Sequence, residues 1–196
     1  MTAIAGLIYA GGKSSRFGAD KATALLQDKR LIDHVAVRLD PQVSALAIAG
    51  SIDRTGLPCL DDGAHTDKGP LAGLLAGLTW AASLPDIACL VTAPCDVPLL
   101  PKNLVGLLTP NSTNRPTVLN VEGRWQTGCA LWPTSGLPVI AETLATGQDL
   151  SLHSALRALN VEVIECDPAL LDGSFANINT QDDLAHLERR LSQSHG

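Results

Sequence analysis

Aromatic residues are scarce in this 196-residue chain, 3% in all, although 45% of its residues are hydrophobic. Its core must therefore be built from Ala, Leu, Val and Ile, a composition that suits a sheet covered by helices. Cysteine is sparse and unpatterned. Cys59, Cys89, Cys95, Cys129 and Cys166 are odd in number and never spaced C-x-x-C, which speaks against a disulfide framework or a zinc site and leaves reduced thiols. No long apolar run is present either: MTAIAGLIYAGG breaks at Gly11, too short for a bilayer and without the basic start of a signal peptide. The expected location is the cytoplasm, with no membrane partner. Basic clusters are also missing. The net charge is −6, with no run of Lys and Arg, so no nucleic-acid partner is expected and any anionic ligand must be gripped locally.

No repeat, low-complexity tract or linker divides the sequence, and its length suits one domain, 1–196, that buries roughly 70% of its unfolded surface. What the chain does have is alternation. Residues 3–10 (AIAGLIYA) are a short apolar run closed by Gly-Gly, with the length and boundary of a buried strand. Residues 43–49, 87–92 and 161–166 share that character, and 117–121 and 129–132 are further candidates. Helical spacing marks 31–39, 70–82, a stretch after Pro101, 137–145, 152–159 and 181–191. Pro70 suits a first helical position, and Thr180 suits an N-cap followed by Asp182 and Asp183 in the first turn. This order predicts βαβ crossovers and an α/β fold, a three-layer α/β/α sandwich around a mostly parallel, Rossmann-like sheet. Ligands are expected beyond the carboxyl ends of its strands.

The segment after the first strand, residues 10–21 (AGGKSSRFGADK), has the composition of a phosphate cradle. Glycines let backbone N–H groups approach an anion, and Arg16 and Lys21 supply positive charge. Two familiar nucleotide motifs do not fit. Glycines at 11, 12 and 18 do not spell G-x-G-x-x-G, and a P-loop ending in Gly12-Lys13-Ser14 would need glycine where Leu7 stands. Gly6 is one residue out of register and lies inside the apolar run. A plain strand-to-helix turn needs two glycines but has no use for Arg and Lys as well.

Three other segments carry candidate polar groups. Asp96, in Pro94-Cys95-Asp96-Val97-Pro98, emerges beyond a buried strand, where it is either a ligand for a hard cation such as Mg²⁺ or a turn-capping carboxylate. Asp61-Asp62 precedes Gly69-Pro70; a carboxylate there can accept from N–H or hydroxyl donors of a ligand, or stand as an exposed acidic pair. Asn177 and Asn179, two apart on an extended stretch, can reach one side together and bind phosphate or metal-bound water. Of the histidines, His34, His153 and His186 fall on helices and read as structural or solvated, whereas His65 sits in the loop before Gly69.

In order, Tyr9-Ala10-Gly11-Gly12-x-Ser14-x-Arg16-Phe17-Gly18-x-Asp20-Lys21 closely resembles the L-A-G-G-x-S-x-R-M-G-x-D-K signature of the molybdenum cofactor guanylyltransferases, within the wider sugar-nucleotidyltransferase-like family. Pro94 to Pro98 looks like that family's P-C-D-x-P motif, Gly69 to Gly73 its G-P-L-A-G helix start, and Phe175 to Thr180 its F-x-N-x-N-T segment. The likeness runs from Ala5 to about Leu184. It implies Mg²⁺ on Asp96 and a nucleotide, GTP, held by Tyr9, Ala10, Gly11, Gly12, Ser14, Lys21, Ser51, Asp62, Gly69 and Asp96. It further implies a pterin or phosphate on Asn177 and Asn179, and catalysis by Arg16, Lys21 and Asp96. The implied reaction is in-line attack by the terminal phosphate of molybdopterin, with or without molybdenum, on the α-phosphorus of Mg-GTP. Transient contact with molybdoenzyme apoproteins or their chaperones is implied as well.

The pattern departs in places. Ala49-Gly50-Ser51 stands where relatives often carry Asn, and Gln126-Thr127 stands where many have His-Pro. The first change implies a weaker base contact or base reading mainly by backbone groups of the first loop; the second removes a titratable side chain, which matters for proton transfer if that position performs it and for the fit of the pterin pocket if it does not. Tyr9 and Phe17 replace the commoner Leu and Met. A CTP-dependent enzyme, a sugar-phosphate nucleotidyltransferase and a non-catalytic GTP-binding carrier stay open as alternatives.

Overall fold

The computed structural model describes residues 3–10, 21–50, 56–61, 63–65, 68–109 and 114–193. Gly11, Gly12, Ser14, Arg16, Ser51 and Asp62, all expected in the site, lie outside the described residues. The chain opens with β1 (Ala3–Tyr9), a small hairpin of β2 (Leu25–Leu26) and β3 (Lys29–Arg30), and α1 (Leu31–Leu39). There follow β4 (Ala45–Ala49), β5 (Cys59–Leu60), α2 (Pro70–Ser83), β6 (Ile87–Pro94) and the short α3 (Leu104–Leu108). The remaining elements are β7 (Thr117–Val121), β8 (Arg124–Pro133), α4 (Leu137–Thr146), α5 (Leu152–Ala158), β9 (Glu162–Cys166) and α6 (Gln181–Gln193).

The main sheet has the order β5-β4-β1-β6-β8-β7-β9. Its β5–β4, β4–β1, β1–β6 and β7–β9 pairs are parallel, while β8 runs antiparallel between β6 and β7. The sheet is thus mostly parallel, as the alternating pattern predicts. Strand pleating divides β1 between two cores. Ile8 packs with Ile32, Val35 and Leu39 of α1 and with Leu104 and Leu108 of α3. Ala5, Leu7 and Tyr9 face α2, α4 and α5, with Leu74, Ile140 and Leu156 among their companions. A third, smaller cluster joins Leu26 and Leu31 to Ile178, Leu184 and Leu187, seating α6 against the hairpin. Helices on both faces complete the three layers.

Among the differences from the sequence reading, turn chemistry explains the early start of β8 and the β2–β3 hairpin. β8 begins at Arg124, well before residue 129, because Glu122 (φ 51°) and Gly123 (φ 77°) make a tight turn that pairs β7 with β8. The β2–β3 hairpin turns on Gln27 (φ 49°) and Asp28 (φ 61°), left-handed positions without the usual glycine, so it leaves no strong sequence signal. No described helix is long and apolar enough to cross a membrane.

Close packing of α2 on the sheet depends on small residues. A Cβ added at Gly77 would lie 2.5 Å from Leu7 Cδ2 and 3.0 Å from Leu90 Cδ2, so this helix turn sits almost on the strands. That contact accounts for a residue that by itself weakens a helix. Gly77→Val is expected to lower stability by about 1–3 kcal/mol through overpacking. The check is a reduced urea midpoint at unchanged m-value.

Three of the five cysteines, Cys89, Cys95 and Cys129, are buried. Burial pushes Cys89 and Cys129 up from the ordinary thiol range, with the charge of Asp96 adding to the effect at Cys129. Cys59 is exposed on β5. Brief treatment of the native protein with iodoacetamide near neutral pH is expected to alkylate Cys59 and to spare Cys89 and Cys129, as read by peptide mass.

Candidate active site

The rim where β1 and β6 end gathers residues from distant parts of the chain. Tyr9 lies beside Pro94 at the end of this parallel pair. Backbone bonds continue past the strands: Ala10 N–H donates to the Ala49 carbonyl (2.8 Å) and Cys95 N–H to the Tyr9 carbonyl (2.9 Å). Asp96 follows between two buried neighbours, Cys95 and Val97, with Val97 N–H turned back to the Pro94 carbonyl (3.3 Å). The flanking residues anchor the turn in the core and leave the carboxylate at the rim.

Lys21 reaches that carboxylate from a one-turn 3₁₀ segment, Lys21–Thr23, pinned by the buried Ala22. Its Nζ lies 2.5 Å from Asp96 Oδ2, and both side chains are only 16% exposed. The same ammonium donates to Asn179 Oδ1 at 2.8 Å. Two residues that lie 75 and 158 positions away in sequence therefore converge on a single cation. An ammonium has three donors, and two are engaged here.

A strap of chain before α6 delivers Asn179. Gly173 lies so close to the Leu99 carbonyl that an added Cβ would sit 2.3 Å from its oxygen. Ser174 N–H donates to that carbonyl (2.6 Å), Lys102 N–H to Asp172 Oδ1 (2.9 Å), and Ile178 N–H to the Asp96 carbonyl (2.9 Å). Ile178 is buried between exposed Asn177 and Asn179, so the strap is tied to the chain around Asp96 by backbone bonds and one apolar anchor. Thr180 then caps α6: its Oγ1 accepts from Asp183 N–H (3.1 Å), while Asp183 Oδ2 accepts from Thr180 N–H (2.8 Å) and Asn179 N–H (2.9 Å). The Asn179 N–H and the Thr180 bonds hold the Asp183 carboxyl below the usual range, with Lys21 contributing charge. A depressed carboxyl of this kind strengthens the fold above about pH 4 and loses its contribution as the pH falls further.

The donor set around Asp96 suits a hard cation. Asp96 Oδ1 is buried and has no hydrogen-bond partner, while Oδ2 and Asn179 Oδ1 already meet at the Lys21 charge. Among the described residues no group of three or more His, Cys, Asp or Glu could enclose a metal. One carboxylate with neighbouring oxygens matches an ion that completes its shell with water and substrate phosphate.

The other expected residues take up varied positions. Gly69 is exposed as the N-cap of α2, in a backbone conformation (φ 66°, ψ −157°) suited to glycine, with Pro70 at the first helical turn. The Tyr9 side chain is 8% exposed, and its ring edge lies 3.3 Å from where a Cβ on Gly73 would stand, so the ring is part of the α2-facing core. Asp61 serves its own turn, where its Oδ1 accepts from Gly63 N–H at 2.9 Å. His65 is half-buried with Nδ1 shielded and unpartnered, and neighbouring Lys68 is tied to α4 through the Leu144 carbonyl (2.8 Å). Gln126 spends its amide on the Arg124 carbonyl of its own strand (3.1 Å). His34 bonds the Leu26 carbonyl (2.8 Å) and His153 stacks on Trp125, centroids 4.8 Å apart. Sequence reasoning missed the bond from Asp183 to Asn179, although T-x-x-D spacing is a capping signature that points to the Thr180 bond.

Residues 6–163 match the MobA-like NTP transferase domain. The chain belongs to that family. Among curated relatives of this transferase, the molybdenum cofactor guanylyltransferase of Cereibacter sphaeroides is 38% identical, covering 95% of this chain and 96% of the relative. That of Rhizobium leguminosarum bv. trifolii is 34% identical, covering 96% and 93%. Among solved structures, molybdopterin-guanine dinucleotide biosynthesis protein A from Archaeoglobus fulgidus superposes with a TM-score of 0.78 at 22% identity, covering 96% of this chain and 99% of the other. A 4-diphosphocytidyl-2C-methyl-D-erythritol synthase from Anaerococcus prevotii shares the fold at 10% identity, with a TM-score of 0.72 over 97% and 96%. The transferase is thus a nucleotidyltransferase whose fold is shared by proteins of very different sequence.

Proposed function

We propose that this nucleotidyltransferase moves GMP from GTP to the terminal phosphate of molybdopterin, giving molybdopterin guanine dinucleotide and pyrophosphate. The observation that carries the reading is the meeting of Lys21, Asp96 and Asn179 at the rim of β1 and β6. A phosphate oxygen of the acceptor bonds to the α-phosphorus, and the bond from that phosphorus to the bridging oxygen of the β-phosphate breaks. Pyrophosphate leaves with the electron pair. The nucleophile is already anionic, so the protein need not remove a proton; its work is alignment and charge neutralisation.

In this reading Lys21 offers its third N–H to the polyphosphate, and Arg16 with the loop of Gly11, Gly12 and Ser14 grips the leaving side. Ser51, Asp62 and Gly69 attend the base and ribose; Tyr9 and Ala10 set the exit of β1. Asn177 and Asn179 face the acceptor, as pterin or phosphate ligands. Asp96 would hold Mg²⁺, with Asn179 beside it. When bound, that ion would supply positive charge to the α-phosphate oxygens as the transition state forms. One domain, 1–196, carries all of these groups.

Purified protein should be given molybdopterin, Mg²⁺ and GTP, CTP, ATP or UTP in turn, and the product identified by mass. The expected product is the guanine dinucleotide with one pyrophosphate per turnover. A cytosine product would overturn the choice of base. Tight GTP binding without pyrophosphate release would overturn transfer itself and point to a carrier.

A further inference from the structure

Asp183 does more at this site than a helix cap requires. A capping box needs the N3 carboxylate to accept only from the N-cap N–H. Here one oxygen, Asp183 Oδ2, accepts from Thr180 N–H at 2.8 Å and also from Asn179 N–H at 2.9 Å, one residue before the N-cap. On the other side of Asn179, Ile178 N–H is held by the Asp96 carbonyl at 2.9 Å. The Asn179 backbone is thus clamped between the main chain of Asp96 and the carboxylate of Asp183. From that clamp its side-chain oxygen reaches Lys21 Nζ, which in turn meets Asp96 Oδ2.

We propose that Asp183 is a positioning residue for the transfer reaction, holding Asn179, and through it the Lys21 ammonium, in register with Asp96. The inference rests on the function proposed above. A carboxylate that served only α6 would influence folding and leave the Asn179–Lys21 contact alone. One that positions Asn179 acts through it, and its effect disappears when the Asn179 side chain is gone.

A double-mutant cycle separates the two roles. Asn179→Ala, Asp183→Ala and the pair would be assayed for kcat and KM with GTP and molybdopterin, below the onset of unfolding of the least stable variant. Each single change is expected to lower kcat, by about tenfold for Asp183→Ala, with less change in KM for GTP. The double variant should match Asn179→Ala within about twofold. Asp183→Asn, which keeps an oxygen at the same reach, should recover most of the loss. Unchanged kcat in Asp183→Ala, or losses that multiply in the double variant, would overturn the proposal. A second readout needs no substrate: the side-chain amide resonances of Asn179 in the free protein should shift in Asp183→Ala and stay near their native positions in Asp183→Asn. Absence of turnover by the wild type would count against the transfer reading, whereas native Asn179 resonances in Asp183→Ala would count against the positioning role alone.

Discussion

Asp96→Asn is expected to reduce turnover by about 10²-fold or more while the protein stays folded. The exchange is nearly isosteric, so the turn between Cys95 and Val97 keeps its packing, yet three things change together. The negative charge facing Lys21 disappears, leaving that ammonium with Asn179 Oδ1 as its described acceptor. An amide NH₂ must take one of the two oxygen positions. Pointed at Lys21 it opposes the charge; pointed inward it fills the buried Oδ1 position, where the native oxygen has no hydrogen-bond partner. Leaving a buried donor unmet costs about 1–3 kcal/mol, so a modest drop in melting temperature accompanies the loss of activity. In the proposed reaction the site also loses the carboxylate that would hold a hard divalent ion. Measuring kcat across a Mg²⁺ titration separates these effects: the apparent requirement for the ion should rise at least about tenfold, with kcat still depressed at saturation. Near wild-type turnover at ordinary Mg²⁺ would remove Asp96 from the chemistry.

Much of this arrangement is legible in the sequence because strands and turns announce themselves by simple rules. The apolar run ending at Gly11 and the one ending near Pro94 each predict a buried strand with a polar exit, and those strands turn out to be neighbours, β1 and β6. Pro70 at the start of α2 and Thr180 at the cap of α6 likewise sit where their chemistry predicts. Other features depend on partners that periodicity does not register. Gln27 and Asp28 turn a hairpin without glycine, and its Leu26 finds its packing in the distant Ile178 and Leu184. The polar start of β8 conceals a strand whose partner is set by the turn at Glu122 and Gly123. Tyr9, read as a ligand by its place in a motif, buries its ring against α2, because the strand pleat that sends Ile8 toward α1 sends Tyr9 the other way. Asp61 and Asp62 look alike in sequence, but a hydrogen bond to Gly63 N–H gives Asp61 a local turn to hold.

Lys21→Met should have two effects of opposite sign, and the pair of them identifies what this side chain does. Methionine keeps an unbranched, mostly buried stem and removes only the charged head. Turnover is expected to fall by about 10²-fold, because in the proposed reaction the developing charge on the transferred phosphoryl group would lose the Lys21 ammonium. Binding of a divalent ion to the free protein is expected to strengthen. In the native protein the ammonium already lies on Asp96 Oδ2 and Asn179 Oδ1, the oxygens an incoming ion would use. A metal taking those two oxygens must displace the ammonium, and a hydrogen bond to a charged group contributes about 1.5–3 kcal/mol. Removing the competitor should therefore tighten Mn²⁺ binding by about tenfold or more, as measured by electron paramagnetic resonance of the free ion. In the proposed reaction the same competition would favour joint entry of metal and nucleotide, because the polyphosphate, bonded by the third N–H of Lys21, would share the charge that otherwise rests on Asp96 Oδ2 and Asn179 Oδ1. Unchanged Mn²⁺ affinity in Lys21→Met would show that the ion binds elsewhere, whatever happened to turnover.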